Sequence, residues 1–203
     1  MTEENEWDNI LHIRTTGRDD SIADLTRYPY EPTDYCVLER LAGSGYFSKR
    51  NTLLDYGCGK GRVDFFLAYQ TKCRSIGIEY NERLYTRAVQ NKANAVAGGR
   101  VSLTLVDATE YAVPAAVDRV FFFNPFSVEI LRVVMDHLQA SYQQTPREML
   151  LFFYYPSFFY RQYLATESRL SLLTEIFCGD LFKESDGREE VLVYQFSCPN
   201  DSF

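Results

Sequence analysis

The sequence lacks the cysteine patterns that build disulfide frameworks and zinc sites. Its five cysteines are odd in number, and none of them forms a C-x-x-C pair with another. Disulfide-rich secreted domains and zinc-binding domains are built on such patterns, so neither class is supported. We therefore expect no metal site and predict buried free thiols in a reducing cytoplasm for Cys36, Cys58, Cys73, Cys178 and Cys198.

Long apolar runs are also missing. The longest apolar stretches, at residues 120–123 and 149–155, are far too short to cross a bilayer. The chain opens without a basic segment followed by an apolar one, so we expect no secretion signal and a cytoplasmic protein.

Basic residues are few and scattered. Lys and Arg number 21 against 28 Asp and Glu, which gives a formal net charge of −7, and no basic run is present. Proteins that bind nucleic acids neutralise phosphates with clustered cations, so a nucleic-acid partner is not favoured. His12 and His137 have no partner at a triad or metal-binding spacing, and we assign no catalytic histidine.

The sequence does contain an alternation of short apolar strands and helical segments. Its 203 residues, of which 46% are hydrophobic, suffice for one α/β domain and are few for two. We expect an irregular or loosely docked arm over residues 1–20, a boundary after residue 27, and one domain over residues 28–203. Strands separated by helices predict a doubly wound, mostly parallel sheet with right-handed crossovers.

Caps and periodicity place the elements along the chain. Thr33 is expected to cap a helix that ends near residue 42, Asn81 a long helix that stops at the glycine pair 98–99, and Ser127 a later helix. A helix is predicted at 62–69, and a short aromatic helix after the fifth strand. Strands are predicted at 52–56, 74–79, 101–106, 117–123 and 148–155, with a terminal hairpin from 171–177 and 190–197.

The turn after the first strand is the most informative segment, because glycine stands at every second position: Gly57, Gly59 and Gly61. Without a Cβ, this backbone can bend sharply and lie against a ligand. A dinucleotide-binding turn needs G-x-G-x-x-G, but Arg62 stands where its third glycine belongs. A tight connection without a ligand is the alternative interpretation of this turn alone.

The spacing D-x-G-x-G-x-G, which begins at Asp55, resembles motif I of the class I, seven-strand S-adenosylmethionine-dependent methyltransferases. The resemblance covers roughly residues 28–198. It implies a Rossmann-like sheet whose seventh strand runs antiparallel between the fifth and sixth, and S-adenosylmethionine as cofactor. The cofactor would then contact the turn at Gly57, Cys58, Gly59 and Gly61, while Asp55 braces it.

Acidic residues stand at the ends of the second and third predicted strands. Ligands of open parallel sheets lie beyond these strand ends, and a carboxylate at the position of Glu79 can accept both ribose hydroxyls of a nucleoside cofactor. By the resemblance, Asp107 and its neighbour Ala108 hold the adenine. A solvated residue or a helix cap is the alternative for a lone acid at a strand end.

Upstream of the first strand, Tyr30-Glu31-Pro32-Thr33 resembles a Tyr-x-Pro-Thr segment that forms a lid over the methionine end of the cofactor in several of these methyltransferases. Tyr30 and Thr33 are therefore candidate cofactor-binding residues. Pro32 fixes the chain direction, and Thr33 offers a hydroxyl and a helix N-terminus to a carboxylate. An ordinary capped helix start is the alternative.

Asn124-Pro125-Phe126, after the fourth strand, resembles the Asn/Asp-Pro-Pro-aromatic motif of amino-group methyltransferases. The resemblance implies direct in-line methyl transfer to an amine nitrogen of a protein side chain or small molecule. The catalytic candidates are Asn124, Pro125 and Tyr155. The second proline is missing and Phe126 arrives one position early, so Asn124 could instead close the cofactor pocket.

The charged segment 180–190 predicts an acidic rim that attracts a cationic acceptor, such as a lysine side chain or a polyamine. A solvated turn is the alternative. Two other functions stay open. One is an NAD-dependent oxidoreductase, which Arg62 disfavours, and the other is a non-catalytic module that binds S-adenosylmethionine.

Overall fold

A computed structural model describes residues 3–19, 26, 28–184 and 187–197. Cys198 and Asp186 fall outside the described residues. The helices are α1 (Glu3–Leu11), α2 (Tyr35–Ala42), α3 (Arg62–Thr71), α4 (Glu82–Asn94), α5 (Val128–Gln144) and α6 (Phe158–Leu164). The strands are β1 (Thr52–Tyr56), β2 (Arg74–Glu79), β3 (Val101–Leu105), β4 (Arg119–Phe122), β5 (Leu150–Tyr154), β6 (Leu170–Phe177) and β7 (Glu190–Phe196).

The strands form one seven-stranded sheet in the order β3-β2-β1-β4-β5-β7-β6. Strands β1 to β5 run parallel to one another, whereas β7 pairs antiparallel with both β5 and β6. The predicted doubly wound sheet with an antiparallel seventh strand is therefore confirmed. The strand order reverses between β1 and β4, which opens a crevice at their carboxyl ends.

The central strands are buried on both faces, as parallel strands covered by helices should be. Successive side chains of β1 enter opposite cores because strand side chains alternate between faces. Leu53 belongs to one core with Leu11 of α1, Leu38 of α2 and Phe66 of α3. On the other face, Leu54 packs in a second core to which α5 and α6 contribute Leu131 and Tyr160.

The predicted strands are confirmed, with their ends shifted by up to two residues in five of the seven. Asn81 caps α4 as expected, since its side chain accepts hydrogen bonds from the amides of Arg83 and Leu84. The helix ends at Asn94 rather than at the glycine pair, because Ala95 turns to extended backbone and Gly98–Arg100 forms a separate 3₁₀ turn. Ser127 precedes α5 as predicted, but its side chain makes no capping hydrogen bond.

The predicted cap at Thr33 is wrong. Helix α2 begins at Tyr35 with Asp34 at the cap position, and the Asp34 side chain makes no capping hydrogen bond. The Tyr35 amide instead donates to the carboxylate of Glu4 in α1, at 3.1 Å. Glu4 of helix α1 therefore caps α2, in place of Thr33.

The expectation of an irregular arm over residues 1–20 is also wrong. Helix α1 docks on the domain, where the Trp7 ring meets the Phe66 ring edge-on at 4.9 Å. The buried Asp8 carboxylate accepts hydrogen bonds from the hydroxyls of Thr15, at 2.6 Å, and Tyr35, at 2.5 Å. These contacts fix residues 3–15 to α2 and α3, while the proposed boundary after residue 27 stays a prediction.

Candidate active site

A cavity of about 970 Å³ opens at the carboxyl ends of β1, β2 and β4, where the strand order reverses. The predicted site residues that line it are Tyr30, Thr33, Asp55, Gly57, Cys58, Glu79, Asp107, Ala108 and Pro125. Gly59, Gly61, Asn124 and Tyr155 are not among its lining residues.

The glycine turn at this cavity is packed so closely that it excludes side chains. Gly57 has a φ of +73°, and a Cβ on it would lie 2.6 Å from Cβ of Pro125. A Cβ on Gly59, whose φ is +56°, would lie 2.1 Å from the ring of Tyr30. The turn is therefore clasped between the end of β4 and the segment before α2.

Glu79 at the end of β2 holds this turn in place. Its side chain is 4% exposed, and its two carboxylate oxygens accept hydrogen bonds from the amides of Gly59 and Asn81, each at 2.9 Å. Burial raises the pKa of Glu79 above its ordinary value, against the opposing effect of these amides. Each carboxylate oxygen has a second lone pair, so Glu79 can still accept a hydrogen bond from a ligand.

Asp107 follows β3 at the far end of the cavity. Its carboxylate accepts hydrogen bonds from the backbone amide of Thr109, at 2.9 Å, and from the Thr109 hydroxyl, at 2.7 Å. It thereby caps the 3₁₀ turn Ala108–Glu110 while it lines the cavity. The two alternatives given for this acid, a helix cap and a ligand contact, are thus compatible.

Two buried carboxyl groups lie beneath the glycine turn, Asp55 on β1 and Asp64 on α3. Burial and the nearby Asp64 carboxylate raise the pKa of Asp55 well above its ordinary value. Burial also raises the pKa of Asp64 to about 7, although Ser75 and Asp55 donate hydrogen bonds to it. The Ser75 hydroxyl lies 2.5 Å from Asp64 Oδ1. The raised pKa values mean that this carboxyl pair, one group on β1 and the other on α3, keeps a proton to a higher pH than free carboxyl groups do.

We expect this carboxyl pair to make the protein less stable as the pH rises from about 4 to 8. Both groups titrate near pH 4 when unfolded, so in this window the folded protein binds more protons than the unfolded chain. The free energy of unfolding then falls, by up to about 1.4 kcal/mol per pH unit for each extra proton. Urea unfolding at several pH values measures the slope. Asp55→Asn keeps the hydrogen-bond donor without a titrating proton and should flatten it, whereas an equal slope would contradict this account.

Tyr30 covers the glycine turn from outside. Its hydroxyl donates to the Thr15 carbonyl at 2.8 Å, and the Lys60 ammonium lies 4.7 Å from its ring centroid. The same segment reaches the end of β4, because the Tyr28 amide donates to the Pro125 carbonyl at 3.4 Å. Residues 28–33 therefore lie over the cavity, while the predicted cofactor contacts of Tyr30 and Thr33 stay a prediction.

The Asn124 side chain is engaged within the protein. Its amide nitrogen donates to the Tyr155 carbonyl at 2.7 Å, and its amide oxygen accepts from the Ser157 amide at 3.0 Å. Both Asn124 and Tyr155 have positive φ, at 42° and 48°. Asn124 thus joins the ends of β4 and β5, and these bonds favour a positioning role for it. Its predicted contact with a substrate stays a prediction.

A second cavity, of about 980 Å³, lies on the other side of residues 28–33. Its walls combine four aromatic side chains with four carboxylates, and its two guanidinium groups each pair with one of those carboxylates. The aromatic lining residues are Phe123, Tyr154, Tyr155 and Phe182, and the acidic ones are Glu4, Glu31, Asp34 and Glu189. Glu31, Pro32, Arg62 and Phe123 line both cavities, so the two cavities meet.

The predicted acidic rim is smaller than the sequence suggests. Asp180 pairs with Arg40 and Glu190 with Arg161. Glu189 is the residue of the described part of this loop that lines the second cavity, apart from the aromatic Phe182.

Sequence reasoning missed Glu4, Glu31, Asp34 and Arg62 as cavity residues. Glu31 and Arg62 could have been predicted from their positions in the sequence. Glu31 lies within the segment Tyr30-Glu31-Pro32-Thr33, and Arg62 directly follows the glycine turn. Nothing local marks Glu4, which reaches the site because α1 docks beside α2.

Comparisons with known proteins find a methyltransferase domain within the chain. Residues 53–143 match the family model described as a methyltransferase domain. A search of curated protein sequences finds no match. Within the described residues, no helix is both long and apolar enough to cross a membrane.

Solved structures share the fold. An RNA methyltransferase from Salinibacter ruber, in complex with S-adenosyl-L-homocysteine, aligns at 17% identity with a TM-score of 0.60, over 84% of this chain and 98% of its own. A putative methyltransferase from Escherichia coli aligns at 17% identity with a TM-score of 0.63, over 90% of this chain and 99% of its own. A mitomycin 7-O-methyltransferase aligns at 12% identity with a TM-score of 0.61, over 79% of this chain and 53% of its own. Identities this low show the fold alone.

The fold is therefore that of the Rossmann-like methyltransferases. The match over residues 53–143 and this fold support an S-adenosylmethionine-dependent methyltransferase, with S-adenosylmethionine as its cofactor. The resemblance that begins at Asp55 is confirmed, and the oxidoreductase alternative is set aside.

Proposed function

We propose that the protein transfers the methyl group of S-adenosylmethionine, bound in the first cavity, to an amine nitrogen of an acceptor bound in the second. The first is called the cofactor cavity below and the second the acceptor cavity. The observation that carries the proposal is the junction of the two cavities at Glu31, Pro32, Arg62 and Phe123. Methyl transfer needs its two reactants in contact, and this junction supplies a place for it.

The cofactor cavity fits the parts of S-adenosylmethionine in order along the strand ends. Glu79 is suited to the ribose hydroxyls, while Asp107 and Ala108 lie further out for the adenine. Gly57 has no side chain, so a ligand can approach the backbone of the turn closely. Tyr30 and Thr33 line the side of the cavity proposed for the methionine end. The bound cofactor supplies an already activated methyl group, so the protein's contribution is mainly to hold and align the reactants.

The acceptor cavity is suited to a cation with an apolar body. Carboxylates outnumber guanidinium groups in its lining, which favours entry of an ammonium group over an anion. The electron-rich faces of Phe123 and Tyr154 can lie against positive charge, whereas the Arg188 guanidinium already lies over the Tyr155 ring, 4.4 Å from its centroid. Methylation itself requires the neutral amine, and the junction lies where an amine can lose its proton to solvent or to a lining carboxylate.

Asn124, Pro125 and Tyr155 then act together at the acceptor side. The Asn124 side-chain amide donates a hydrogen bond to the Tyr155 carbonyl. This bond sets the distance between the ends of β4 and β5, which flank the junction. Pro125 packs on Gly57 and lines the cofactor cavity, whereas Tyr155 lines the acceptor cavity. We assign Pro125 and Tyr155 to the walls that orient the acceptor, and Asn124 to positioning them.

A phosphodiester acceptor fits this site less well. The Salinibacter ruber structure is titled an RNA methyltransferase, and another neighbour methylates oxygen. The acceptor cavity has four carboxylates against two guanidinium groups, and the chain carries a net charge of −7, so both charges disfavour a polyanion. A protein side chain or a small molecule is therefore the favoured source of the amine.

Transfer of radiolabelled methyl from S-adenosylmethionine to a cell extract tests the proposal. We expect protease-sensitive label, or acid-soluble label in a basic small molecule, which disappears with Glu79→Ala. Nuclease-sensitive label, or label on an oxygen atom, would contradict the amine acceptor. No label in any fraction despite intact cofactor binding would favour the non-catalytic alternative.

Charge reversal at the rim should weaken the binding of a basic acceptor. We expect Glu189→Lys to raise the KM for the acceptor found above roughly five- to tenfold at low salt, because it replaces an attractive charge with a repulsive one. The effect should shrink at high salt through screening. The matched control is Glu184→Lys in the same loop, since Glu184 does not line either cavity. Equal KM values for the two variants would contradict the role of Glu189.

A further inference from the structure

Arg62 is a buried guanidinium at the start of α3, directly after the glycine turn. Its side chain is 2% exposed. Its Nε donates to the Thr15 hydroxyl at 2.7 Å, and its Nη1 donates to the Thr33 carbonyl at 3.1 Å and to the Glu4 carboxylate. The guanidinium also lies over the Tyr35 ring, 4.3 Å from its centroid. These contacts hold the planar group in one orientation.

The remaining nitrogen of this group, Nη2, is buried and has no hydrogen-bond partner among the described residues. A buried donor without an acceptor is costly, and the cost is greater for a charged group. Arg62 also lines both cavities at their junction. The protein therefore keeps a fixed, unsatisfied cationic donor at the point where cofactor and acceptor meet.

We propose that Arg62 Nη2 binds the carboxylate of the amino-acid end of S-adenosylmethionine. The inference rests on the proposed assignment of the cofactor cavity. A guanidinium is the natural partner of a carboxylate, because its planar N–H donors match the geometry of the two oxygens. Since Nε and Nη1 are anchored on the protein, Nη2 offers a directed hydrogen bond without further loss of side-chain freedom.

The neighbouring residues fit this assignment. Tyr30 and Thr33, which cover the side of the cofactor cavity proposed for the methionine end, belong to the segment whose carbonyl at Thr33 anchors Arg62. The adenine end is assigned to Asp107, which follows β3, a strand two places removed from β1 in the sheet. Arg62 thus makes the site selective for a nucleoside that carries an amino acid over one that lacks a carboxylate.

Calorimetric titration with two ligands tests the proposal. One ligand is S-adenosylhomocysteine, and the other is its decarboxylated analogue, which keeps the adenosine, the sulfur and the amine. We expect the wild-type protein to bind S-adenosylhomocysteine roughly ten- to a hundredfold more tightly. With Arg62→Met this preference should fall to within about threefold, and Arg62→Lys should keep an intermediate preference. The matched control, Arg100→Met, removes an exposed guanidinium that donates to the Lys72 carbonyl and should keep the full preference.

The preference between two ligands separates recognition from folding, because a general loosening of the protein weakens both ligands alike. Equal affinities in the wild-type protein, or a full preference retained by Arg62→Met, would overturn the proposal. Should both Arg62 variants fail to fold, a structure of the wild-type protein with S-adenosylhomocysteine decides. A carboxylate oxygen within hydrogen-bond distance of Nη2 supports the proposal, and any other position overturns it. Failure of the wild-type protein to bind either ligand would instead reject the assignment of the cofactor cavity.

Discussion

Replacing Glu79 with alanine is expected to lower the affinity for S-adenosylhomocysteine at least about a hundredfold. The change removes the acceptor of two buried amide hydrogen bonds, from Gly59 and Asn81, each 2.9 Å long. A buried donor left without an acceptor costs about 1–3 kcal/mol, so the glycine turn loses its fixed shape. The proposed hydrogen bonds to the ribose are lost as well, and hydrogen bonds to charged groups contribute about 1.5–3 kcal/mol. Since about 1.4 kcal/mol is a tenfold change, a hundredfold loss is the lower bound.

Calorimetric titration measures the loss, and thermal unfolding of the same samples shows whether the variant is folded. Glu79→Gln keeps one acceptor oxygen but turns an amide toward the second N–H donor, so we expect an intermediate affinity. Glu82→Gln, three residues further on at the first position of α4, is the matched control and should bind normally, since Glu82 does not line either cavity. An unchanged affinity in folded Glu79→Ala would contradict the role given to this carboxylate.

Features that depend on short stretches of chain could be predicted from the sequence. Buried parallel strands are short apolar runs that end in turn residues, so β1 and β2 have the bounds expected for them. Glu79 and Asp107 follow their strands directly, and the carboxyl ends of parallel strands share one edge of the sheet. Their meeting at one cavity therefore follows from local sequence together with the topology of the sheet.

Features that depend on partners distant in the chain could not be predicted. The cap of α2 comes from Glu4, 31 positions away, and the Asn124 amide bonds to residues 31 and 33 positions away. The residue types alone favoured other roles, because threonine before a helix is a common cap and asparagine after a strand matches a known methyltransferase motif. These are the positions of Thr33 and Asn124. Only the packing of α1 on α2 and of β4 beside β5 decides which partner each side chain takes.

The net charge of the loop at 180–190 also depends on partners distant in the chain. The loop at 180–190 is acidic in sequence, but Arg40 and Arg161 reach it from α2 and α6 and pair with Asp180 and Glu190. Glu4 and Glu31 also line the acceptor cavity but pair with Arg62 and Arg18, so its excess of negative charge comes from Asp34 and Glu189. The N-terminal residues therefore contribute to the proposed function, and a truncated chain should lose acceptor binding as well as stability.

A methyl group added at Gly59 should be the most damaging small change in the glycine turn. Gly59→Ala places a Cβ at a φ of +56°, which costs roughly 1–2 kcal/mol in an L-residue, and 2.1 Å from the Tyr30 ring. Forcing an extra methyl into a packed site costs roughly another 1–3 kcal/mol. We therefore expect the free energy of unfolding in urea to fall by about 2–5 kcal/mol, and cofactor affinity to fall with it because Tyr30 is displaced.

Two matched glycines separate the causes of this loss. Gly45 also has a positive φ, of +85°, but a Cβ there meets nothing within 4 Å, so Gly45→Ala should cost the backbone strain alone. Gly99 has no positive φ and equally open surroundings, so Gly99→Ala should be nearly neutral. If the ring of Tyr30 causes the remainder, Tyr30→Ala should cost less in the Gly59→Ala background than in the wild-type protein. Additive losses in that double variant would mean that Tyr30 does not press on the turn, and the cover over the cofactor cavity would then lose its structural basis.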